Sequence, residues 1–358
     1  MLQHSPLMVS TMAQTSNDKL PWDDVGTRLS DGRNLPQTLR EAHLDWDVIK
    51  RPAWVDIASY GDSDEADVMA PNGAPMHPTR VKGNYVMLRS DTMEPVSPFV
   101  GPRYKPIQNY DAFKVFQDFC EAGNMTMETA GSLSGGEHIW GLAKINGEYQ
   151  LCDGEFISGY FLLIQSHIYG SSLKAMFTPV RYPGGHMLVQ SVNRSVVGQK
   201  TYTMPHSRHF NESRVSEIHE VMGVAERELD HFIKEARTMT QRMVSDEAVI
   251  RYFIEEFNPT LHTKVQNGVV VIPAGMKISD LTDWEWSNRN MKRVPQYMES
   301  YAGADLPTCQ GTAWGVMQAT NNFYDHEIGV NPDTRLVSAW MGPNAKKKLA
   351  AAARAQQM

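Results

Sequence analysis

The chain has 358 residues, 41% of them hydrophobic, and a formal net charge of -7. That length and apolar content fill a core without staples, and three widely spaced cysteines, Cys120, Cys152 and Cys309, exclude a disulfide framework and any C-x-x-C motif. The longest apolar run, around residues 160–164, is too short to span a bilayer, so the expectation is a soluble protein of a reducing interior, without membrane contact.

Residues 1–79 hold six Lys or Arg against twelve acids, with an acidic patch at Asp62, Asp64, Glu65 and Asp67. This Pro-rich region reads as an arm and linker that docks on the rest, with one short helix over 36–46 started by Pro36. Trp46 and Trp54 read as packing anchors. Residues 80–260 form the expected core. Strands at 85–88 and 98–107 pair as a hairpin. Asn109 is placed to cap a helix whose stripe is Phe113, Phe116, Phe119 and Cys120, and Gly123 stops it. Alternating residues at 125–130 and 139–145 flank Ser134-Gly135-Gly136 as a second hairpin, and 160–168 turns at Tyr169-Gly170-Ser171 into 173–181 as a third. Helical periodicity follows at 212–243 and again from Val249 to Phe257. Residues 261–358 read as a C-terminal extension in which Lys346-Lys347-Lys348 begins a frayed basic helix. The fold class is therefore α+β: a curved antiparallel sheet of hairpins, ordered strand-strand-helix-strand-strand-strand-helix, with helices on one face.

Residues 156–211 contain no Asp or Glu, although the chain carries 41 of them. A strand buried on both faces would exclude acids, but it would exclude Lys174, Arg181, Arg194, Lys200 and Arg208 as well. A segregated positive field is the alternative. With Arg103 and Lys105 these cations make a candidate phosphate-binding groove, and Tyr182, Tyr202 and Phe210 are placed either to support bases or to pack within the sheet. No sequence motif implies a cofactor. The segment from Gly131 to Gly136 lacks a following Gly-Lys-Ser/Thr, and no nucleophile elbow or H-E-x-x-H is present. His206 and His209 are the best metal candidates, with His167, His186 and His219 as further donors, yet they lack the compact ligand set that zinc favours. Cys120, on the apolar stripe, reads as a core thiol.

Arg103-Tyr-Lys-Pro-Ile-Gln-Asn109, Glu128-Thr-Ala-Gly-Ser-Leu-Ser-Gly-Gly136 leading to Trp140, Phe177-Thr-Pro-Val-Arg181, and Gly311-Thr-Ala-Trp-Gly315 with Asp325-His326 together resemble a phage/plasmid-like protein family of unknown function. Leu20-Pro-Trp-Asp-Asp-Val-Gly-Thr-Arg28 is similar to that family's start. The chain departs from the family's pattern at Tyr182-Pro-Gly-Gly-His186. In element order it also resembles the single-strand annealing superfamily of Red-beta, RecT, Erf and Rad-type proteins. That second resemblance implies a non-catalytic protein in the bacterial host cytoplasm. It would bind single-stranded DNA along a basic groove as a homo-oligomeric ring or filament, without ATP, and work beside a phage exonuclease or host single-strand binding protein. Two alternatives stay open: a metal-dependent nucleic-acid enzyme using His206 and His209, and a virion or host-interaction protein.

Overall fold

The computed structural model describes residues 20–56, 68–69, 75–76, 78–182, 185–187, 202–205, 215–257, 265–266, 269–270, 275, 277 and 304–358. In chain order the elements are β1 (Thr27–Arg28), α1 (Leu35–Glu41), β2 (Val48–Asp56), β3 (Val68–Met69), β4 (Pro75–Met76), β5 (Pro78–Arg89), β6 (Pro95–Val100), α2 (Asn109–Ala122), β7 (Thr126–Leu133), β8 (His138–Cys152), β9 (Glu155–Ser166) and β10 (Ser172–Tyr182). There follow β11 (His186–Met187), β12 (Tyr202–Pro205), α3 (Val215–Gln241), α4 (Asp246–Phe257), β13 (Val265–Gln266), β14 (Val269–Val270), α5 (Ala313–Asn322), a π-helical turn Phe323–Glu327, α6 (Pro332–Trp340) and α7 (Pro343–Ala355). The molecule is α+β, and its strands pair antiparallel, largely as hairpins.

The main sheet runs β1-β7-β8-β9-β10-β11, and β12 pairs with β10 along the same edge as β11. A smaller sheet, β2-β5-β6, stands beside it. Because side chains alternate along a strand, β9 sends Ile157, Phe161 and Leu163 to one face and Tyr160, Leu162 and Ile164 to the other. On the first face α2 lays down Phe113, Phe116 and Phe119, all fully buried, each stabilising by about 1.5–3 kcal/mol through burial. Close approach of α2 depends on Gly141, where a Cβ would come 2.9 Å from the Phe116 ring. Farther along that face α3, α4, α5 and α7 close a second core around Phe232, Phe253 and Trp314. The opposite face, expected to be bare of helices, carries α6: Leu336 and Trp340 pack on Trp140 and Tyr160 together with Trp22.

Part of the expected arm is built into this fold. Trp22 is buried, β1 extends the main sheet from β7, and β2 pairs with β5. The acidic patch at Asp62, Asp64, Glu65 and Asp67 lies outside the described residues, and Trp54 is 59% exposed, so only Trp46 of the two tryptophans is an anchor. Helix α1 starts as read, with Pro36 in its first turn and an Asn34–Gln37 capping box. Helix α2 does not: its cap position is Gln108, and Asn109 instead donates to the carbonyls of Leu44 and Trp46 while its Oδ1 meets His167 Nε2 at 3.0 Å. The C-terminal basic helix is not frayed. Ala351 and Ala355 are buried, and Lys348 reaches inward to Asp325 at 2.6 Å. Among the described residues no helix is long and apolar enough to cross a membrane.

Candidate nucleic-acid interface

Loop 101–107, between β6 and α2, is organised by a lysine from another strand. Lys50 of β2 donates to the carbonyls of Gly101 (2.9 Å), Pro102 (2.6 Å) and Tyr104 (3.1 Å), and its ammonium lies 4.6 Å from the centre of the Tyr85 ring. Three carbonyls converging on one ammonium consume its hydrogen-bonding capacity. The loop is thereby fixed with Arg103 and Lys105 exposed and Tyr104 half-buried between them. Burial and the neighbouring Tyr169 push the Tyr104 phenol up to about 12, so it stays neutral.

Across from this loop stands the β9–β10 turn. Tyr169 donates its backbone N–H to Ser97 Oγ of β6 at 3.3 Å, its ring centre lies 5.9 Å from that of Tyr104, and it is 64% exposed. Lys174, also exposed, sits on β10 opposite Ile164 on one side and Thr203 of β12 on the other. Arg103 and Lys105 therefore flank a tilted tyrosine pair, with the exposed ring of Phe99 on β6 and the exposed Lys174 near the start of β10. Cations beside an exposed aromatic face are what a flexible polyanion with stackable bases needs.

The remaining predicted cations divide. Arg181 is not on a groove. It is completely buried on β10, where its Nε donates to Glu155 Oε1 and its Nη2 approaches Cys309 Sγ at 3.3 Å. Glu155 Oε1 also accepts from Trp314 Nε1 at 2.7 Å, and its Oε2 accepts from the Thr308 hydroxyl. A desolvated guanidinium needs such a carboxylate, and burial of the pair leaves no surface for phosphate. Tyr182 is likewise a packing residue: it is half-buried, its hydroxyl is 3.0 Å from that of Tyr160, and burial raises its pKa. Tyr202 is described in its backbone alone, paired with Ala175. Arg194, Lys200, Arg208, Phe210, His206 and His209 lie outside the described residues. Among the described residues no group of three or more His, Cys, Asp or Glu is placed to hold a metal ion, and His167 is engaged by Asn109.

The hairpin end next to this surface is strained. Ser134, Gly135 and Gly136 all have positive φ (52°, 66° and 105°), a cost for Ser134, which has a Cβ. Two anchors hold it: Asp333, whose carboxylate accepts from the Ser134 N–H, and Arg89, which donates to the Gly135 carbonyl and lies over Trp46 at 4.5 Å. His138 follows, buried, its pKa lowered by burial and raised in part by Asp333. Sequence alone gives Lys50 and Glu155 no role in the site and gives Tyr169 only a place in a turn. For Glu155 a signal existed, because it is the last acid before the acid-free stretch.

No curated protein and no solved structure matches the chain. Residues 98–341, a span from the end of β6 to just past α6, match the Domain of unknown function (DUF932), and the chain belongs to that family.

Proposed function

We propose that the protein binds single-stranded DNA and promotes annealing without ATP, using the surface formed by loop 101–107, the β9–β10 turn and the start of β10. The observation that carries the reading is the placement of Arg103 and Lys105 on either side of Tyr104, which meets the exposed ring of Tyr169. Ammonium and guanidinium groups there neutralise phosphates and release counterions, while tyrosine faces support bases irrespective of sequence. Rate enhancement comes from holding strands together and screening their repulsion, with no bond made or broken by the protein.

The order of elements differs from the expected strand-strand-helix-strand-strand-strand-helix core, because four long strands and the short β11 and β12 lie between α2 and α3 and the leading β5 and β6 belong to the smaller sheet, so it adds nothing to the reading. The resemblance to phage/plasmid-like proteins supports the reading, because it implies a mobile-element setting. Assembly into a ring or filament belongs to the proposal, because three exposed cations on one subunit engage few phosphates and neighbouring subunits would extend the track. Salt-titrated binding of single-stranded and duplex DNA, paired with annealing of complementary oligonucleotides, tests it. The expected result is tighter single-strand binding that weakens steeply with salt, together with accelerated annealing. Indifference to single-stranded DNA at low salt would overturn it.

A further inference from the structure

The cluster that buries Arg181 also brings two cysteines together. Cys152 is the last residue of β8, and Cys309 lies 157 positions later in the turn before α5. Both sulfurs contact one hydroxyl: Cys152 Sγ is 3.8 Å and Cys309 Sγ 4.0 Å from Thr308 Oγ1. The two sulfurs are therefore separated by no more than those two spans together. Cys152 is partly exposed and so open to a small oxidant, whereas Cys309 is buried against the Arg181 guanidinium.

The two sides of the gap differ in freedom. The Cys309 backbone is fixed: a Cβ on Gly315 would collide with its carbonyl oxygen, and the Thr312 side chain ties the turn by donating to the Thr308 carbonyl while accepting from the Gly315 N–H at 3.1 Å. Cys152 sits at a strand end followed by the Asp153-Gly154 turn, with Gly154 at φ 82°.

We propose that Cys152 and Cys309 are an oxidisable dithiol that closes to a disulfide under hydrogen peroxide. One thiolate attacks a peroxide oxygen, giving a sulfenic acid and hydroxide, which a proton converts to water. The second thiol displaces the sulfenic hydroxyl, releasing a second water and forming the S–S bond. Two thiols and one peroxide thus become one disulfide and two waters. The bond ties the tip of the β8–β9 hairpin to the start of α5 and displaces the Thr308 hydroxyl from between the sulfurs. Cys120 takes no part: it is buried on α2, and burial pushes its thiol up to about 12.

The test uses the full chain treated with peroxide, then alkylated and digested without reductant. The expected result is a Cys152–Cys309 linked peptide, loss of two hydrogens from the intact mass, one remaining alkylatable thiol in the unfolded protein, and reversal by dithiothreitol. Cys152→Ser, a conservative change at a partly exposed strand end, abolishes the linked peptide, and Cys120→Ser leaves it intact. Oxidation that stops at sulfenic or sulfinic acid on Cys152, a link involving Cys120, or three alkylatable thiols after treatment would each overturn the proposal.

Discussion

Strand β10 carries Lys174 near one end and Arg181 near the other, and the two cations have opposite fates. Lys174 is exposed, beside the turn that holds Tyr169. Arg181 is sealed between strands and α5, held by Glu155, whose carboxylate also receives Trp314 and Thr308. Seven residues apart, an odd number, they project from opposite faces of the sheet. Only Lys174 is in a position to serve a ligand. A count of cations along the strand does not distinguish them; the presence of a buried carboxylate opposite one of them does.

The sharpest way to break that contrast is Glu155→Gln. The variant leaves the Arg181 charge buried without its partner and costs about 3–5 kcal/mol, read as a lowered urea midpoint. Single-strand affinity of the molecules that stay folded is expected to be unchanged. A selective loss of DNA binding at full stability would move Arg181 back to the interface. Gly315→Ala tests the packing under the same cluster: its new methyl meets the Cys309 carbonyl, and overpacking of about 1–3 kcal/mol or more is expected in the same denaturation experiment.

At the exposed end, Tyr169→Ala removes one face of the tyrosine pair. Loss of about 1–3 kcal/mol of single-strand binding is expected, with stability nearly unchanged, since Tyr169 is largely in solvent. Equal affinity for variant and parent would remove stacking from the account.

Smaller still is a pH effect beside the strained hairpin end. Burial lowers the His138 pKa in the folded state, so between that value and about 6.5 the unfolded chain binds more protons. Stability therefore rises with pH through that window and is lost on acidification from neutrality. His138→Asn is expected to flatten the slope of the urea midpoint between about pH 7 and pH 5 relative to the parent. An identical slope in both would mean that carboxylates alone set the acid sensitivity.

Local chemistry made much of the fold legible. The Phe113-Phe116-Phe119 stripe and Gly123 delimit α2 because helix period and a C-terminal glycine are properties of adjacent residues. The Ser134-Gly135-Gly136 and Tyr169-Gly170 turns likewise announce themselves. What misled were residues whose partners are remote. Asn109 has a good capping side chain, but spends it on Leu44, Trp46 and His167. Lys348, in a run of basic residues, answers to Asp325 in the interior. Glu155 stands one residue outside the acid-free stretch whose charge it partly cancels. In the candidate interface, Arg103, Lys105 and Lys174 were readable as cations. Their arrangement was not, because Lys50 sets the loop from 51 to 54 positions away.

Titration of a labelled single-stranded oligonucleotide across salt concentrations, parent against Arg103→Ala/Lys105→Ala/Lys174→Ala, puts the interface to its most direct test. Each phosphate contact on a single strand contributes about 0.7 to the slope of log affinity against log salt, so the triple variant is expected to bind more weakly and with a slope smaller by roughly 2. The same affinity and the same slope in both proteins would contradict the account.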